Sequence, residues 1–244
     1  MIYFVIPAFN EEANIGKLFE SLDAHCRHEN LLYHVIVVDD GSSDRTAEIV
    51  RQKTAAFPCS LISYSPNRGV DEAFRRGLNR ALEVAGPEDV IVTSEADGTA
   101  DLCILKDFLE KIKNGRDIVV ASYYAEGGAV ESTALYRKIL SRAANFFISA
   151  LFRIRGIHTF SSFYRAHRPS ALKAVKERYG DFFTEKGFSC VVELLIRAHR
   201  LKLRLDEVPM VLQGGARAGK SKMKVSRTII GYLRIGGRLV TRSI

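Results

Sequence analysis

Acidic residues follow three apolar runs of the sequence, at points where buried strands are expected to end. They come in pairs, namely Glu11 and Glu12, Asp39 and Asp40, and Glu95 and Asp97. Ligands of open α/β sheets bind outside the carboxyl ends of the strands, so the three pairs are expected to face one crevice. Crowded carboxylates repel one another unless a cation or a hydrogen-bonding ligand lies among them. A nucleotide complexed with a hard divalent cation meets both needs.

The first two pairs favour nucleotide binding. Glu11 is predicted to accept hydrogen bonds from a ribose or base. For Glu12 the alternative interpretation is the start of a helix, because acidic side chains are favoured at a helix N-terminus. Asp39 and Asp40 end a strand predicted to be fully buried, where two carboxylates are costly unless they bind something. Gly41 permits a tight turn after them. We therefore expect Asp39 or Asp40 to contact a base or ribose.

The third pair favours a metal site. In an extended segment, residues i and i+2 project to the same side, so Glu95 and Asp97 are predicted to share one divalent cation. Pyrophosphate oxygens would complete its coordination, and Thr99 would add a hydroxyl or hold a metal-bound water. The alternative interpretation is a solvated acidic turn.

The elements that would position these residues alternate between strand and helix in the first half of the chain. Apolar runs predict strands, and apolar residues at helical spacing predict the helices between them. The predicted strands are 2–6, 35–38, 61–64, 90–93 and 118–121, and the predicted helices are 11–24, 44–57, 71–84 and 102–112. Such alternation predicts an α/β fold with a mainly parallel sheet covered on both faces.

The second half of the chain has a different pattern. It predicts three helices and two strands around one glycine-rich loop. The helices are 135–155, 188–200 and 225–240, the strands are 160–164 and 203–211, and the loop is 214–219. Three glycines weaken the prediction of the last helix.

Composition narrows the class of protein. The chain has 244 residues, 47% of them apolar, which predicts a globular protein with a substantial core. Four cysteines without metal-ligand spacing favour a reducing compartment, and Cys59 and Cys103 are expected to be buried free thiols. No run reaches the roughly 18 apolar residues of a membrane span. A strand predicted almost at Met1 argues against a signal peptide.

The net charge of +8 is concentrated at the C-terminus. The segment 213–244 holds eight basic residues and no Asp or Glu, so residues 1–212 are neutral overall. The segment 225–240 is either a solvated helix or an amphipathic helix in a membrane interface. In the second case each basic residue near an anionic surface would contribute about 1 kcal/mol. Nucleic acid is not favoured as a partner, because the segment has no recognised nucleic-acid motif and few aromatic residues.

In this order, the stretches PAFNEE, VVDDGSSDRT, NRG and EADGT resemble the family 2 glycosyltransferases with the GT-A fold. Arg137, Ser141 and Asn145 match the R-x3-S-x3-N helix of polyprenyl-phosphate sugar transferases, and the serine-rich segment ending at Arg165 is similar to theirs. EVP and GKSKM near the C-terminus extend the similarity. The resemblance covers nearly the whole chain and is specific to the branch similar to dolichol-phosphate mannosyltransferases.

The resemblance implies a domain organisation. It predicts a Rossmann-like GT-A domain at 1–212, whose sheet is mainly parallel and flanked by helices. Residues 1–122 would form the nucleotide-binding half and residues 123–212 the acceptor half. The segment 213–244 would be an acceptor-side extension made of a basic loop and an amphipathic segment.

The resemblance also implies roles for the matched residues. Nucleotide binding is implied for Pro7, Phe9, Glu11, Val38, Asp39, Asp40, Asn67 and Ala96. Binding of Mg²⁺ or Mn²⁺ is implied for Glu95, Asp97 and Thr99. Contact with the diphosphate or the acceptor phosphate is implied for Arg137, Ser141, Arg165, Arg217 and Lys222. Catalytic roles are implied for Asp97, Arg137 and Ser141.

The chain departs from the family pattern at four places. The metal motif begins with Glu95 instead of aspartate, and Tyr123 follows Ser122 where relatives commonly have arginine. His158 stands where aspartate is common. Ala216 falls where arginine is expected, with Arg217 one place later. These departures affect the expected sugar and acceptor more than the fold.

The implied function is a metal-dependent, inverting transfer of a hexose, with mannose favoured, from a nucleotide sugar to a polyprenyl or dolichyl phosphate. GDP-mannose and UDP-hexose are both compatible donors. The protein is expected to be peripheral on the cytoplasmic face of a membrane, where the basic C-terminal segment would hold it. A membrane-protein partner is compatible with this location. Two alternatives stay open: a family 2 transferase with a glycan or another lipid as acceptor, and a sugar-nucleotide-binding protein with impaired catalysis.

Overall fold

The computed structural model describes residues 1–131, 135–213, 231–232 and 234–237, apart from the side chains of Arg137 and Gln213. Arg217, Lys222 and most of the segment 213–244 therefore lie outside the described residues, as does the side chain of Arg137. Within the described ranges, no helix combines the length and the apolar composition needed to cross a bilayer.

A central sheet of seven strands organises the fold, and a separate two-stranded sheet lies beside it. The strands are β1 (Ile2–Ala8), β2 (Tyr33–Asp39), β3 (Cys59–Ser63), β4 (Val90–Thr93), β5 (Ile118–Ser122), β6 (Ala129–Glu131), β7 (Arg165–His167), β8 (Leu205–Pro209) and β9 (Val211–Gln213). The central order is β3-β2-β1-β4-β7-β5-β8, and β6 pairs with β9. Only β7 in the central sheet runs antiparallel to its neighbours, which confirms the mainly parallel α/β sheet.

Seven helices of the described residues connect or cover the strands. They are α1 (Ile15–His28), α2 (Thr46–Lys53), α3 (Val70–Val84), α4 (Leu105–Lys113), α5 (Leu135–Phe152), α6 (Pro169–Tyr179) and α7 (Cys190–Arg200). The predicted helices of the first half correspond to α1 to α4, with ends that differ by a few residues. The helix α6 was not predicted, although Pro169 at its first turn and left-handed Gly180 at its end are common helix boundaries.

Two apolar clusters cover opposite faces of the sheet. Val5 of β1 packs in one cluster, whereas its neighbours Phe4 and Ile6 pack in the other. This alternation follows from the two-residue repeat of a strand. The first cluster includes residues from α3, α6 and α7, and the second includes residues from α1 and α4. Burial on both faces explains why β1, β2 and β4 are almost continuously apolar.

Some predictions from the second half of the chain were wrong. Residues 160–164 form no strand, and the strand is Arg165–His167, inserted between β4 and β5. The predicted strand 203–211 is divided into β8 and β9, which belong to different sheets. Cys103 is exposed and Cys59 is half-buried, whereas Cys26 and Cys190 are the buried thiols.

The described part of the C-terminal segment packs on the domain. Residues 231–232 and 234–237 are helical, and Ile235 is buried in the core cluster that contains α7. A Cβ at Gly231 would lie 2.0 Å from the Ser189 hydroxyl, so only glycine fits there. Ile235 belongs to the segment 225–240, for which a helix in a membrane interface was one of two interpretations, and it faces the protein.

Candidate functional site

The first two acidic loops form one hydrogen-bonded unit at the carboxyl ends of β1 and β2. The Asn10 side-chain oxygen accepts the Ser43 N–H at 2.8 Å, and the Asn10 N–H donates to the Ser42 hydroxyl oxygen at 2.9 Å. The Glu11 N–H donates to the Thr46 hydroxyl oxygen at 2.7 Å. Because β1 and β2 are parallel neighbours, their ends meet at the same edge, and these bonds hold the two loops together.

Two predicted nucleotide ligands are buried inside this unit. Asp39 is 2% exposed, and its carboxylate accepts the Ser42 N–H at 3.2 Å and the Ser63 hydroxyl at 2.8 Å. Glu11 is also buried, and its Oε2 accepts the side-chain amide of Asn14 at 2.7 Å. These hydrogen bonds hold both carboxylates in defined positions.

Asp40 has a different environment from Asp39. Its carboxylate accepts the side-chain amide of Asn67 and the backbone N–H groups of Arg68 and Gly69, at distances of 2.7 to 3.3 Å. Gly69 immediately precedes α3. Asp40 therefore anchors the loop after β3 to the loop after β2, and this anchoring explains its burial without a ligand.

The remaining residues predicted to bind a nucleotide lie around this edge. Pro7 and Phe9 are half-buried at the end of β1, and Ala96 is buried beyond the end of β4. Val38 is fully buried in the core, so its side chain does not face a ligand.

The third acidic loop begins after β4, next to β1 on the side opposite β2. Asp97 is 2% exposed, and its Oδ1 accepts both the N–H and the hydroxyl of Thr99, at 3.0 and 2.7 Å. Ala96 and Asp97 lie in a turn, so the extended geometry assumed for Glu95 and Asp97 is wrong. Glu95 is half-buried.

The donor set of this loop fits a hard divalent cation. Glu95 and Asp97 supply carboxylate oxygens, which Mg²⁺ and Mn²⁺ prefer. A carboxylate has about four lone-pair positions, so two hydrogen bonds from Thr99 are compatible with metal ligation by Asp97. Among the described residues, no group of three or more His, Cys, Asp or Glu side chains could hold a metal ion. A cation here would therefore need further ligands such as water or phosphate oxygens.

The expected acceptor side lies at the end of β5 and along α5. The Tyr123 hydroxyl lies 2.9 Å from the Ser161 hydroxyl oxygen, and Ser141 on α5 also contacts it. Asn145, one turn beyond Ser141, donates to the Ser141 carbonyl at 2.8 Å and accepts the Phe160 N–H at 2.8 Å. Asn145 thus fixes the loop before β7 against α5, which gives the third residue of the R-x3-S-x3-N match a structural role.

Arg165 does not fit the expectation that it contacts a phosphate. It is 1% exposed, and its guanidinium donates to the carbonyls of Phe160, Ser162 and Val191 at 2.6 to 2.7 Å. Burial lowers the pKa of Arg165 to about 9. A buried guanidinium that donates to three interior carbonyls organises the backbone around β7 and α7 and does not extend into a surface cleft.

The chain matches the model of one protein family, described as glycosyl transferase family 2, over residues 3–176. This range contains all three acidic loops and α5. The chain belongs to glycosyl transferase family 2.

Two curated proteins are similar to this chain over most of its length. A dolichol-phosphate mannosyltransferase from Pyrococcus furiosus is 34% identical over 231 residues, which are 94% of this chain and 61% of that protein. A polyprenol monophosphomannose synthase from Mycolicibacterium smegmatis is 28% identical over 91% of this chain and 80% of that protein. The chain thus spans less than two thirds of the length of the Pyrococcus relative.

A solved structure shares the GT-A fold. Glucosyl-3-phosphoglycerate synthase from Mycobacterium tuberculosis, in complex with Mn²⁺, uridine diphosphate and phosphoglyceric acid, superposes with a TM-score of 0.66 at 19% identity. The superposition covers 99% of this family 2 chain and 78% of that structure. At this identity the similarity establishes the fold.

Sequence reasoning missed the residues that join the loops. Asn10, Thr46 and Ser161 were not singled out, because a neutral polar residue in a loop has no distinctive periodicity. Their proximity to acidic or aromatic site residues depends on the order of strands in the sheet. Ser161 directly precedes residues 162–165, the segment matched to the family, and this proximity was the available signal.

Proposed function

We propose that the protein transfers a hexose from a nucleotide sugar to a polyprenyl phosphate. The observation that carries the proposal is the common edge of the sheet: the hydrogen-bonded loops after β1 and β2 lie beside the Asp97 loop after β4. The Tyr123 loop and α5, which form the expected acceptor side, follow β5, a strand of the same sheet. The two curated relatives, by their names, support a mannose donor and a prenyl-type acceptor.

Each part of the site has a proposed role. Glu11 and Asp39 bind the nucleoside by accepting hydrogen bonds from its hydroxyl or N–H groups. Glu95 and Asp97 hold Mg²⁺ or Mn²⁺, which when bound would stabilise the negative charge of the departing diphosphate. Ser141, with Arg137, holds the acceptor phosphate.

Positioning and charge neutralisation account for the rate enhancement in this proposal. A phosphate monoester is already an anion at neutral pH, so it can attack the sugar without a strong general base. A single displacement inverts the configuration at C1, and an α-linked donor would therefore give a β-linked product.

An exposed apolar surface supports binding at a membrane. Ten large apolar side chains are exposed among the described residues, and seven of them lie on α5. They are Leu135, Tyr136, Ile139, Leu140, Phe146, Phe147 and Leu151. The helix contains no Asp or Glu, and it carries three basic residues. An exposed apolar surface on a helix whose charged residues are all basic suits an anionic bilayer surface, which we propose is the cytoplasmic face of a membrane.

Co-sedimentation with lipid vesicles tests whether the exposed apolar surface of α5 contacts a membrane. The double variant Phe146→Ser/Phe147→Ser should co-sediment less than wild type with vesicles that contain anionic lipid. The matched control is Leu32→Ser, because Leu32 is as exposed as Phe146, at 75% against 76%, but lies far from α5 in the sequence. Equal sedimentation of the double variant and wild type would exclude α5 as the membrane contact.

A transfer assay tests the catalytic proposal. Purified protein receives radiolabelled GDP-mannose, UDP-glucose or UDP-N-acetylglucosamine, with Mg²⁺ or Mn²⁺ and a short polyprenyl phosphate. Label extracted into the organic phase with one donor would support the proposal and identify that donor. Phosphoglyceric acid serves as a second acceptor, and label transferred only to it would replace the lipid acceptor. Binding of a nucleotide sugar without transfer to either acceptor would indicate a binding protein.

A further inference from the structure

The backbone that carries Tyr123 is held firmly at the end of β5. The Ser122 hydroxyl donates to the Thr159 hydroxyl oxygen at 2.9 Å, and its oxygen accepts the Ala125 N–H at 3.1 Å. The Ser122 carbonyl accepts the Met210 N–H at 3.0 Å. The direction in which Tyr123 leaves the sheet is therefore set by three hydrogen bonds around Ser122.

The two neighbouring tyrosines make different contacts. Their rings pack edge to face, with centroids 4.7 Å apart. The Tyr124 hydroxyl donates to the Lys138 carbonyl of α5 at 3.2 Å, and the Arg142 guanidinium lies 5.2 Å from the centre of the Tyr124 ring. Tyr124 thus attaches α5 to the loop after β5, whereas the Tyr123 hydroxyl contacts the side chains of Ser161 and Ser141.

The Tyr123 hydroxyl lies among groups already placed in the site. Ser161 is 2.9 Å away, and either hydroxyl can donate to the other. Ser141 contacts the same phenol, and Glu95 of the third acidic loop is near enough to influence it. Burial raises the pKa of Tyr123, while the hydrogen bonds with Ser161 and Ser141 act in the opposite direction. A tyrosine phenol, with an ordinary pKa of about 10, carries its proton at physiological pH and can donate it.

A cluster of three hydroxyl groups suits a phosphate monoester. A hydroxyl group donates one hydrogen bond and can accept others. In the Tyr123–Ser161 pair one hydroxyl proton forms the bond between the two residues, and the proton of the other hydroxyl can be donated to a ligand. Hydrogen bonds from neutral donors to a charged oxygen are strong, and they need the directional geometry that a fixed aromatic side chain provides. The cluster contributes this recognition without adding a positive charge beside Glu95.

We propose that Tyr123 and Ser161 act as a hydroxyl pair that hydrogen-bonds the phosphoryl oxygens of the acceptor beside Ser141. This inference rests on the proposed transfer to a lipid phosphate. It assigns Tyr123 a specific binding role at a position where relatives commonly have arginine. At position 123 the acceptor phosphate is then recognised through the geometry of hydrogen bonds and not through an ion pair.

The test separates acceptor binding from donor binding. Removing one hydrogen bond to a charged group should raise the KM for a short polyprenyl phosphate about ten-fold or more in Tyr123→Phe, while the KM for the donor changes less than about two-fold. Tyr124→Phe is the matched control, since it removes a neighbouring phenol hydroxyl whose hydrogen bond among the described residues is to the backbone carbonyl of Lys138. Its acceptor KM should stay close to the wild-type value.

Two further variants strengthen the experiment. Ser161→Ala should raise the acceptor KM in the same direction, and the double variant Tyr123→Phe/Ser161→Ala should lose less than the sum of the two single changes, because both residues serve one contact. Calorimetric titration of a short prenyl phosphate into each variant provides a readout that does not require turnover. Thermal unfolding shows whether each variant folds, and Ser161→Ala carries the test if Tyr123→Phe lowers Tm.

The outcomes are distinguishable. Wild-type protein that transfers no sugar to a lipid phosphate refutes the proposed function. Active wild-type protein with an unchanged acceptor KM in Tyr123→Phe and Ser161→Ala refutes the hydroxyl pair alone. Donor KM rising as much as acceptor KM also overturns the inference, because the phenol would then act on the donor or on the general shape of the site.

Discussion

The Oδ2 atom of Asp40 accepts the backbone N–H of Gly69 at 2.9 Å, and this contact joins the loop after β2 to the start of α3. The same carboxylate also accepts hydrogen bonds from Asn67 and Arg68. Adjacent acidic residues in one motif thus have separate hydrogen-bond partners: Asp40 joins the loop after β2 to the loop after β3, whereas Asp39 is held by Ser42 and Ser63.

Replacing Asp40 by Asn should destabilise the protein. The new amide group would face a set of donors that all require an acceptor, and the loss should be about 1–3 kcal/mol in the free energy of unfolding. Urea denaturation measures it. Asp101→Asn is the control, because Asp101 accepts one N–H at a short helical turn, where Asn performs nearly as well. Equal stability of the two variants would argue against the anchoring role of Asp40.

Gly77 should not tolerate a methyl group. A Cβ at this position would lie 2.3 Å from Cγ1 of Val5, so α3 would have to move away from β1. We expect Gly77→Ala to cost about 1–3 kcal/mol through overpacking. Gly16→Ala, also within a helix but with no atom within 4 Å of the new Cβ, should instead be neutral or stabilise by roughly 0.5–1 kcal/mol. Thermal unfolding measures both variants. A decrease in Tm of the same size for Gly77→Ala and Gly16→Ala would contradict this account.

Arg165→Lys distinguishes a structural arginine from one that binds phosphate. Lysine cannot reproduce a planar fork that satisfies three carbonyls, so we expect a loss of about 2–4 kcal/mol in unfolding free energy. The donor KM of the folded fraction should stay unchanged. Arg27→Lys, at an exposed surface ion pair, provides the control for stability. A raised donor KM with normal stability would restore Arg165 to the diphosphate site.

His167 predicts a pH dependence of stability. Burial, reinforced by the charge of Arg165, lowers the pKa of His167 from 6.5 to about 3. As pH falls through 6.5, the unfolded chain binds a proton that the folded protein excludes, so stability decreases with falling pH until about pH 3. The slope approaches about 1.4 kcal/mol per pH unit for this group. His167→Gln should lack that component in urea titrations between pH 7 and about pH 4, whereas replacing exposed His28 by Gln should retain it.

Asp97→Asn tests the metal site. If Glu95 and Asp97 ligate the cation, this change should remove most Mg²⁺- or Mn²⁺-dependent transfer, and metal titration should show weaker binding. Asp107→Asn, on the exposed side of α4, should leave both quantities unchanged. Full metal-dependent activity in Asp97→Asn would eliminate this ligand assignment.

Much of the fold was predictable because burial leaves a strong periodic signal. The apolar runs of β1, β2 and β4 and the helical spacing of α1 and α3 made the α/β class readable. The strand β7 was misplaced because its three residues include Arg165 and His167, whose burial depends on partners distant in sequence. The helix α6 was missed although its buried residues Ala171, Leu172 and Val175 follow helical spacing.

The sequence by itself determined the family and the loops that carry the acidic residues, since motif order and local spacing are properties of the chain. Only the tertiary structure decided which side chains and backbone groups each matched residue contacts. In the structure, Asp39 and Asp40 have different hydrogen-bond partners, Arg165 lies in the core, and Tyr123, Ser141 and Ser161 lie next to one another. The physical reason is that hydrogen bonds between loops depend on which strands are neighbours, and this order is set by packing of the whole sheet.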